Sequence, residues 1–196
     1  ALYLQSFGVA LSMISLIAGF SLFIKAVALV LMVAGIGCFI VQMVIIFKQR
    51  ARKQNDYWAK NVMFALTCLV ASVVACTFYF ILDTPFMGML AGVLFFFGFL
   101  LSFIVGHIYK ILPFLIWYEK FSPLVGKQKV PLLHQMIHTK IADAQTWILF
   151  ISIIVLCLGV IFQLAEVFFI GSVLLLISLV LVAFNAVFAF NYKIKE

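Results

Sequence analysis

Charge is scarce in this chain of 196 residues. Asp, Glu, Lys and Arg together make up 10% of it, whereas hydrophobic residues make up 67%, and the mean hydropathy is +1.31. No soluble domain of this length has such a composition. The apolar runs are long and continuous, which excludes the short alternating segments of an outer-membrane barrel. The sequence therefore predicts an all-α fold, a polytopic bundle of transmembrane helices in a single domain over 1–196.

Patterns that carry chemistry are missing as well. There is no glycine-rich phosphate loop, no nucleophile elbow and no paired carboxylate, so the sequence favours a chain that is not catalytic on its own. The four cysteines lie inside apolar runs and none forms a CxxC pair, which argues against a zinc ribbon or a disulfide framework. No acidic residue lies in the middle of a predicted span, which argues against a proton or cation antiporter.

Six hydrophobic segments are long enough to cross about 30 Å of hydrocarbon at about 1.5 Å per residue. We predict spans over 2–24, 26–47, 62–82, 87–108, 144–165 and 167–192. Before span five, residues 130–143 place their apolar side chains on one helical face, which predicts a short amphipathic helix lying in the membrane interface. The chain begins at Ala1 without an initiator Met, so we expect it to be part of a longer protein.

The positive charges predict the orientation in the membrane. Every Lys and Arg except Lys25 lies in or beside the loops after spans two and four, or in the tail. Loops of this kind face the cytoplasm, so loops 48–61 and 119–143 and both chain ends are expected there, in a bacterial inner membrane. The net charge of +7 is thereby attributed to topology, and no nucleic-acid partner is expected.

Small residues form a stripe along span four. Projected at about 100° per residue, the stripe contains Gly88, Ala91, Gly92, Gly98, Ser102 and Gly106. Small side chains let a neighbouring backbone come close, so we expect span four to be central, with Gly98 or Gly106 against another helix. The predicted partners are the lipid bilayer and, through this face, other membrane subunits or a missing N-terminal half.

Polar residues gather where span four ends. An ionisable group at membrane depth is a functional candidate, so His107, Tyr109 and Lys110 are the predicted cofactor-binding residues. The alternative is that they anchor the helix among the lipid headgroups. Pro113 lacks an amide hydrogen, and we expect the helix to kink or end between residues 109 and 114.

Two further histidines, His134 and His138, are spaced i and i+4, as in metal-binding pairs. Two ligands do not make a zinc site, and no acidic residue or cysteine shares their helical face. The sequence therefore predicts no metal site.

The segment GHIYKILPFLIW at 106–117, followed by VPLLHQM at 130–136, resembles the C-terminal part of bacterial multi-span proteins distantly related to haem-copper oxidase subunit I and to the NnrS-like group. This resemblance implies an integral membrane subunit or half-protein of a redox-type membrane protein, mainly structural in this chain. Haem is implied as a cofactor by the resemblance alone, and no ligand is assigned, because His107 is the only histidine in or beside a span. The alternative function is a small transporter or channel.

Overall fold

The computed structural model describes residues 22–49, 56–82, 84–128 and 130–192, which belong to two compact units, 1–54 and 55–196. The described residues are helical and contain no strand. Four of their helices are long and apolar enough to cross a membrane, so the chain is an all-helical, multi-pass membrane protein. The predicted span over 2–24 lies almost wholly outside the described residues, as do both chain ends. Four of the six predicted spans are therefore supported.

The first unit contains one described helix, α1, over Leu22–Gln49. It includes the predicted span over 26–47, but it passes through Lys25 without interruption, where the sequence predicted a break between two spans. Lysine is a good helix former, and no glycine or proline accompanies Lys25 to end the helix there. Within α1, residues Val33–Gln49 form an apolar stretch.

The second unit holds the remaining helices. They are α2 over Tyr57–Leu82, α3 over Pro85–Val93, a π-helical segment over Leu94–Leu101, α4 over Ser102–Lys120, α5 over Thr139–Ile161 and α6 over Ala165–Phe190. The stretch from α3 to α4 is one helix of 36 residues, Pro85–Lys120, which we call the long helix. It contains predicted span four but continues well past residue 108. At 1.5 Å per residue it is about 54 Å long, more than the hydrocarbon thickness.

Pro113 does not end the long helix. It is buried inside α4, so the helix does not end between residues 109 and 114, and the predicted alternative, a kink there, stays a prediction. A proline removes one backbone hydrogen bond, and here the helix continues through it to Lys120. The π-helical turns were not predicted; Ser102 closes them, with its hydroxyl 3.5 Å from the carbonyl oxygen of Phe97.

The long helix is central, as predicted. It contacts α2 along its length, and it also contacts α5 and α6. A Cβ atom built at Gly98 would lie 2.7 Å from the Cβ of Cys68, and one at Gly106 would lie 3.0 Å from the Cβ of Asn61. At these two glycines the small-residue face is packed against α2 of the same chain, whereas nothing lies within 4 Å of a Cβ built at Gly92. A further subunit on this face stays a prediction.

The predicted interfacial helix over 130–143 does not form. Residues 130–132 are not helical, Leu133–Met136 form a 3₁₀ turn, and residues from Thr139 onward already belong to α5. Side chains from other elements hold this shape: the Trp117 indole N–H donates to the Pro131 carbonyl at 2.9 Å, and the His138 amide donates to Asn185 Oδ1 at 3.0 Å. These bonds favour an extended backbone at either side of the turn.

Antiparallel neighbours place the helix ends of the second unit on two sides. One side, at which α2 and α5 begin and α4 and α6 end, is named the polar end. The turn end is the opposite side, where α3 and α6 begin and α2 and α5 end.

Candidate functional site at the polar end

Trp58 connects two of the predicted site residues. It lies in the first turn of α2, and its indole N–H donates to His107 Nε2 at 3.3 Å. The ammonium nitrogen of Lys110 lies 4.1 Å from the centroid of the Trp58 ring, within the range of a cation–π interaction. His107 and Lys110 are three residues apart, so α4 presents both on the same side. The structure thus brings His107 and Lys110 together around Trp58, a residue that the sequence analysis did not include.

Both ring nitrogens of His107 are engaged. Nδ1 lies 2.7 Å from the carbonyl oxygen of Phe103, a distance that requires Nδ1 to donate. Nε2 then accepts from Trp58, so the neutral Nδ1–H tautomer satisfies both bonds. The Phe103 ring also lies against the imidazole, with centroids 4.3 Å apart. A haem iron or other metal would have to displace Trp58 to reach Nε2, so the surroundings of His107 do not fit haem.

Tyr109 faces another way. It is 7% exposed, its hydroxyl accepts from Asn185 Nδ2 at 3.4 Å, and its ring lies 5.6 Å from that of Tyr57. The structure therefore separates the three predicted residues, because Tyr109 packs into the bundle against α6 while His107 and Lys110 lie beside Trp58. Asn185 therefore forms a hydrogen bond between α6 and α4.

A second polar group joins α2 to α5. The hydroxyl of Tyr57 lies 3.2 Å from the Thr139 carbonyl oxygen and 3.3 Å from Asp143 Oδ2, so its proton serves one of them at a time. Lys60 pairs with Asp143 Oδ1 at 3.3 Å. These contacts place residues 56–61 on the same side of the second unit as the start of α5, in agreement with the prediction that loops 48–61 and 119–143 share one side. Sequence reasoning missed them, although Asp143 is one of the few carboxylates near the basic loops.

Two amides are fully buried near this end. Asn61 Nδ2 donates to the Tyr57 carbonyl at 2.8 Å, and Gln145 Nε2 donates to Ser178 Oγ at 3.0 Å. Their oxygens, Asn61 Oδ1 and Gln145 Oε1, have no hydrogen-bond partner among the described residues. A buried acceptor without a partner costs free energy, about 1–3 kcal/mol, and such groups in native proteins are often met by internal water.

Histidines, cysteines and carboxylates do not gather in the described part of the chain. No group of three or more of them is placed to hold a metal ion there. His134 lies exposed in the 3₁₀ turn and His138 precedes α5, so the two do not share a helical face.

No family model, curated protein or solved structure matches this sequence.

Proposed function

We propose that this chain is an integral membrane subunit or half-protein whose own role is mainly structural, within a redox-type membrane protein. The observation that supports it is the pairing of polar side chains at the polar end. They bond to one another between α2, α4, α5 and α6 and leave no ligand-binding nitrogen on His107. The redox assignment is supported by the resemblance at 106–117 and 130–136.

Purification of the full chain alone and from native membranes tests this proposal. We expect the chain produced alone to fold without haem absorption and without stoichiometric metal, and the native preparation to contain further polypeptides. Stoichiometric haem in the chain alone, lost in His107→Ala and retained in Lys110→Ala, would contradict the structural role. The two variants form a matched pair because both residues contact Trp58.

A small transporter or channel is the second candidate. The two buried amide oxygens of Asn61 and Gln145 favour it, because acceptors without partners inside a bundle suit a hydrated or ion-conducting path. Flux through vesicles containing the pure chain separates the candidates. Solute or proton flux that is abolished in Asn61→Leu, while Met63→Leu on the exposed side of the same helix retains it, would favour the transporter.

We further propose that the polar end faces the cytoplasm of a bacterial inner membrane. Lys60, Lys110, Lys120, Lys127 and Lys140 lie at this end, whereas Glu166 lies in the first turn of α6 at the turn end. An excess of lysine on one side is the pattern of cytoplasmic loops.

A further inference from the structure

A cleft of about 530 Å³ opens at the turn end. Phe86 and Met89 of α3, Val160 of α5 and Phe168 of α6 provide apolar walls, and Gln163 is the one polar side chain among the lining residues. The volume lies within the range of small-molecule sites, about 300–1,000 Å³. The cleft is formed entirely within the second unit, between helices that are long and apolar enough to cross the membrane.

The wall made by α5 and α6 is fixed by close packing. A Cβ atom at Gly159 would lie 2.7 Å from the backbone nitrogen of Phe168, so the two backbones meet at the cleft. The Leu164 amide also donates to the Gly159 carbonyl at 3.0 Å, which ties the turn between the helices to the end of α5. This wall of the cleft is therefore preformed.

Gln163 adopts an uncommon backbone conformation in this turn. Its φ is +55°, the only positive φ of a non-glycine residue in the described part of the chain. Glycine is the usual residue at such a position after a helix, and another residue costs about 1 kcal/mol. This unfavourable backbone conformation occurs at Gln163, the residue that contributes the only amide side chain to the lining of the cleft.

The one polar side chain of the lining lies where α6 begins, because Gln163 belongs to the turn directly before that helix. Met89 and Phe168 lie about 6 Å and 4.5 Å further along their helices from Pro85 and Ala165, at a rise of about 1.5 Å per residue. The polar part of the cleft is therefore at the helix starts, and the apolar walls lie deeper in the bundle.

We propose that this cleft binds a single acyl chain that carries a carbonyl head, as in a fatty acid or its neutral ester. The head lies at the helix starts and bonds to the Gln163 amide, and the chain contacts Met89 and Phe168. Lipid surrounds helices of this type, so an amphiphile reaches the cleft from the bilayer. Because the carboxylate of Glu166 belongs to the same turn of α6, the neutral ester binds more tightly than the charged acid.

The test uses the full chain in phosphatidylcholine vesicles. The probes are a monoacylglycerol and the matching fatty acid, each with a photoreactive diazirine near its carbonyl. We expect saturable labelling of residues 85–89 and 159–168, at lower concentrations of the ester than of the acid. Met89→Trp fills the cleft and should abolish the labelling. Met63→Trp is the matched control, because Met63 is 54% and Met89 53% exposed, and it should label like the unmodified chain.

Ala165→Phe is the second variant, since it obstructs the cleft from an exposed position and should also abolish labelling. Correct folding of each variant is checked by its elution as a single species in detergent. Labelling that rises linearly with probe concentration, or that persists in both folded cleft variants, overturns the site. Tighter binding of the acid than of the ester overturns the neutral head.

Discussion

Replacing Gly98 by alanine measures how closely the long helix packs on α2. The added Cβ would lie 2.7 Å from the Cβ of Cys68 and 2.9 Å from its Sγ. Gly92 is a matched control on the same helix, because nothing lies within 4 Å of a Cβ built there. Overpacking of a tight interior costs about 1–3 kcal/mol, whereas the helix-propensity gain of up to about 1 kcal/mol applies to both positions. We expect Gly98→Ala to be less stable than Gly92→Ala by about 1–3 kcal/mol.

The free energy of unfolding of both variants is measured in mixed micelles with increasing denaturing detergent, using circular dichroism. The Cβ of Cys68 is attached to its backbone, so it cannot move away without a shift of α2. A double variant, Gly98→Ala with Cys68→Gly, exchanges the positions of the small residue. The double variant should be more stable than the sum of the two single changes predicts, because the free-energy effects of substitutions at contacting residues are not additive. Equal stabilities of Gly98→Ala and Gly92→Ala would refute the close contact.

Three further outcomes are expected. Tyr109→Phe keeps the ring but removes the acceptor of the Asn185 Nδ2 group, and should lower the free energy of unfolding in the same assay by about 0.5–1.5 kcal/mol. Gln163→Gly removes the cost of a positive φ and should raise that free energy by about 1 kcal/mol; an unchanged value would show that the turn is unstrained. In inverted and right-side-out membrane vesicles, Lys127→Cys should react with an impermeant thiol reagent from the cytoplasmic side only, and Glu166→Cys from the opposite side; the reverse result would overturn the orientation.

The membrane class and the central position of the long helix could be predicted from the sequence, because both depend on local composition. Helices rich in apolar residues are recognised by hydropathy alone. The glycines at 98 and 106 recur at a helical spacing that is typical of close packing, and the structure places α2 against both. Gly92 belongs to the same stripe and meets nothing, so the pattern identified the face but not every contact on it.

Helix boundaries were harder to predict than the helices themselves. At α2 the signal is local, because Asp56 accepts the Ala59 amide at 3.1 Å and starts the helix before its apolar stretch begins. Before α5 the signal comes from a residue distant in the sequence. The backbone at His138 is held by Asn185, 47 residues away, which ends the predicted interfacial helix before α5. A helical wheel of 130–143 describes the apolar pattern correctly, but it contains no information about such a partner.

The separation of Tyr109 from His107 and Lys110 follows partly from helix geometry. At about 100° per residue, Lys110 lies about 60° from His107 around the helix, and Tyr109 lies about 160° from it. The sequence alone therefore contained the reason why the three side chains do not converge. The sequence did not show which residue each side chain would bond to. Trp58, the partner of His107, is 49 residues away, and Asn185, the partner of Tyr109, is 76 residues away. Because both partners satisfy groups that would otherwise be costly in a membrane, the polar residues at the end of α4 are explained by helix-to-helix bonding. A ligand is better sought at the opposite end, where Gln163 and the start of α3 border a cleft.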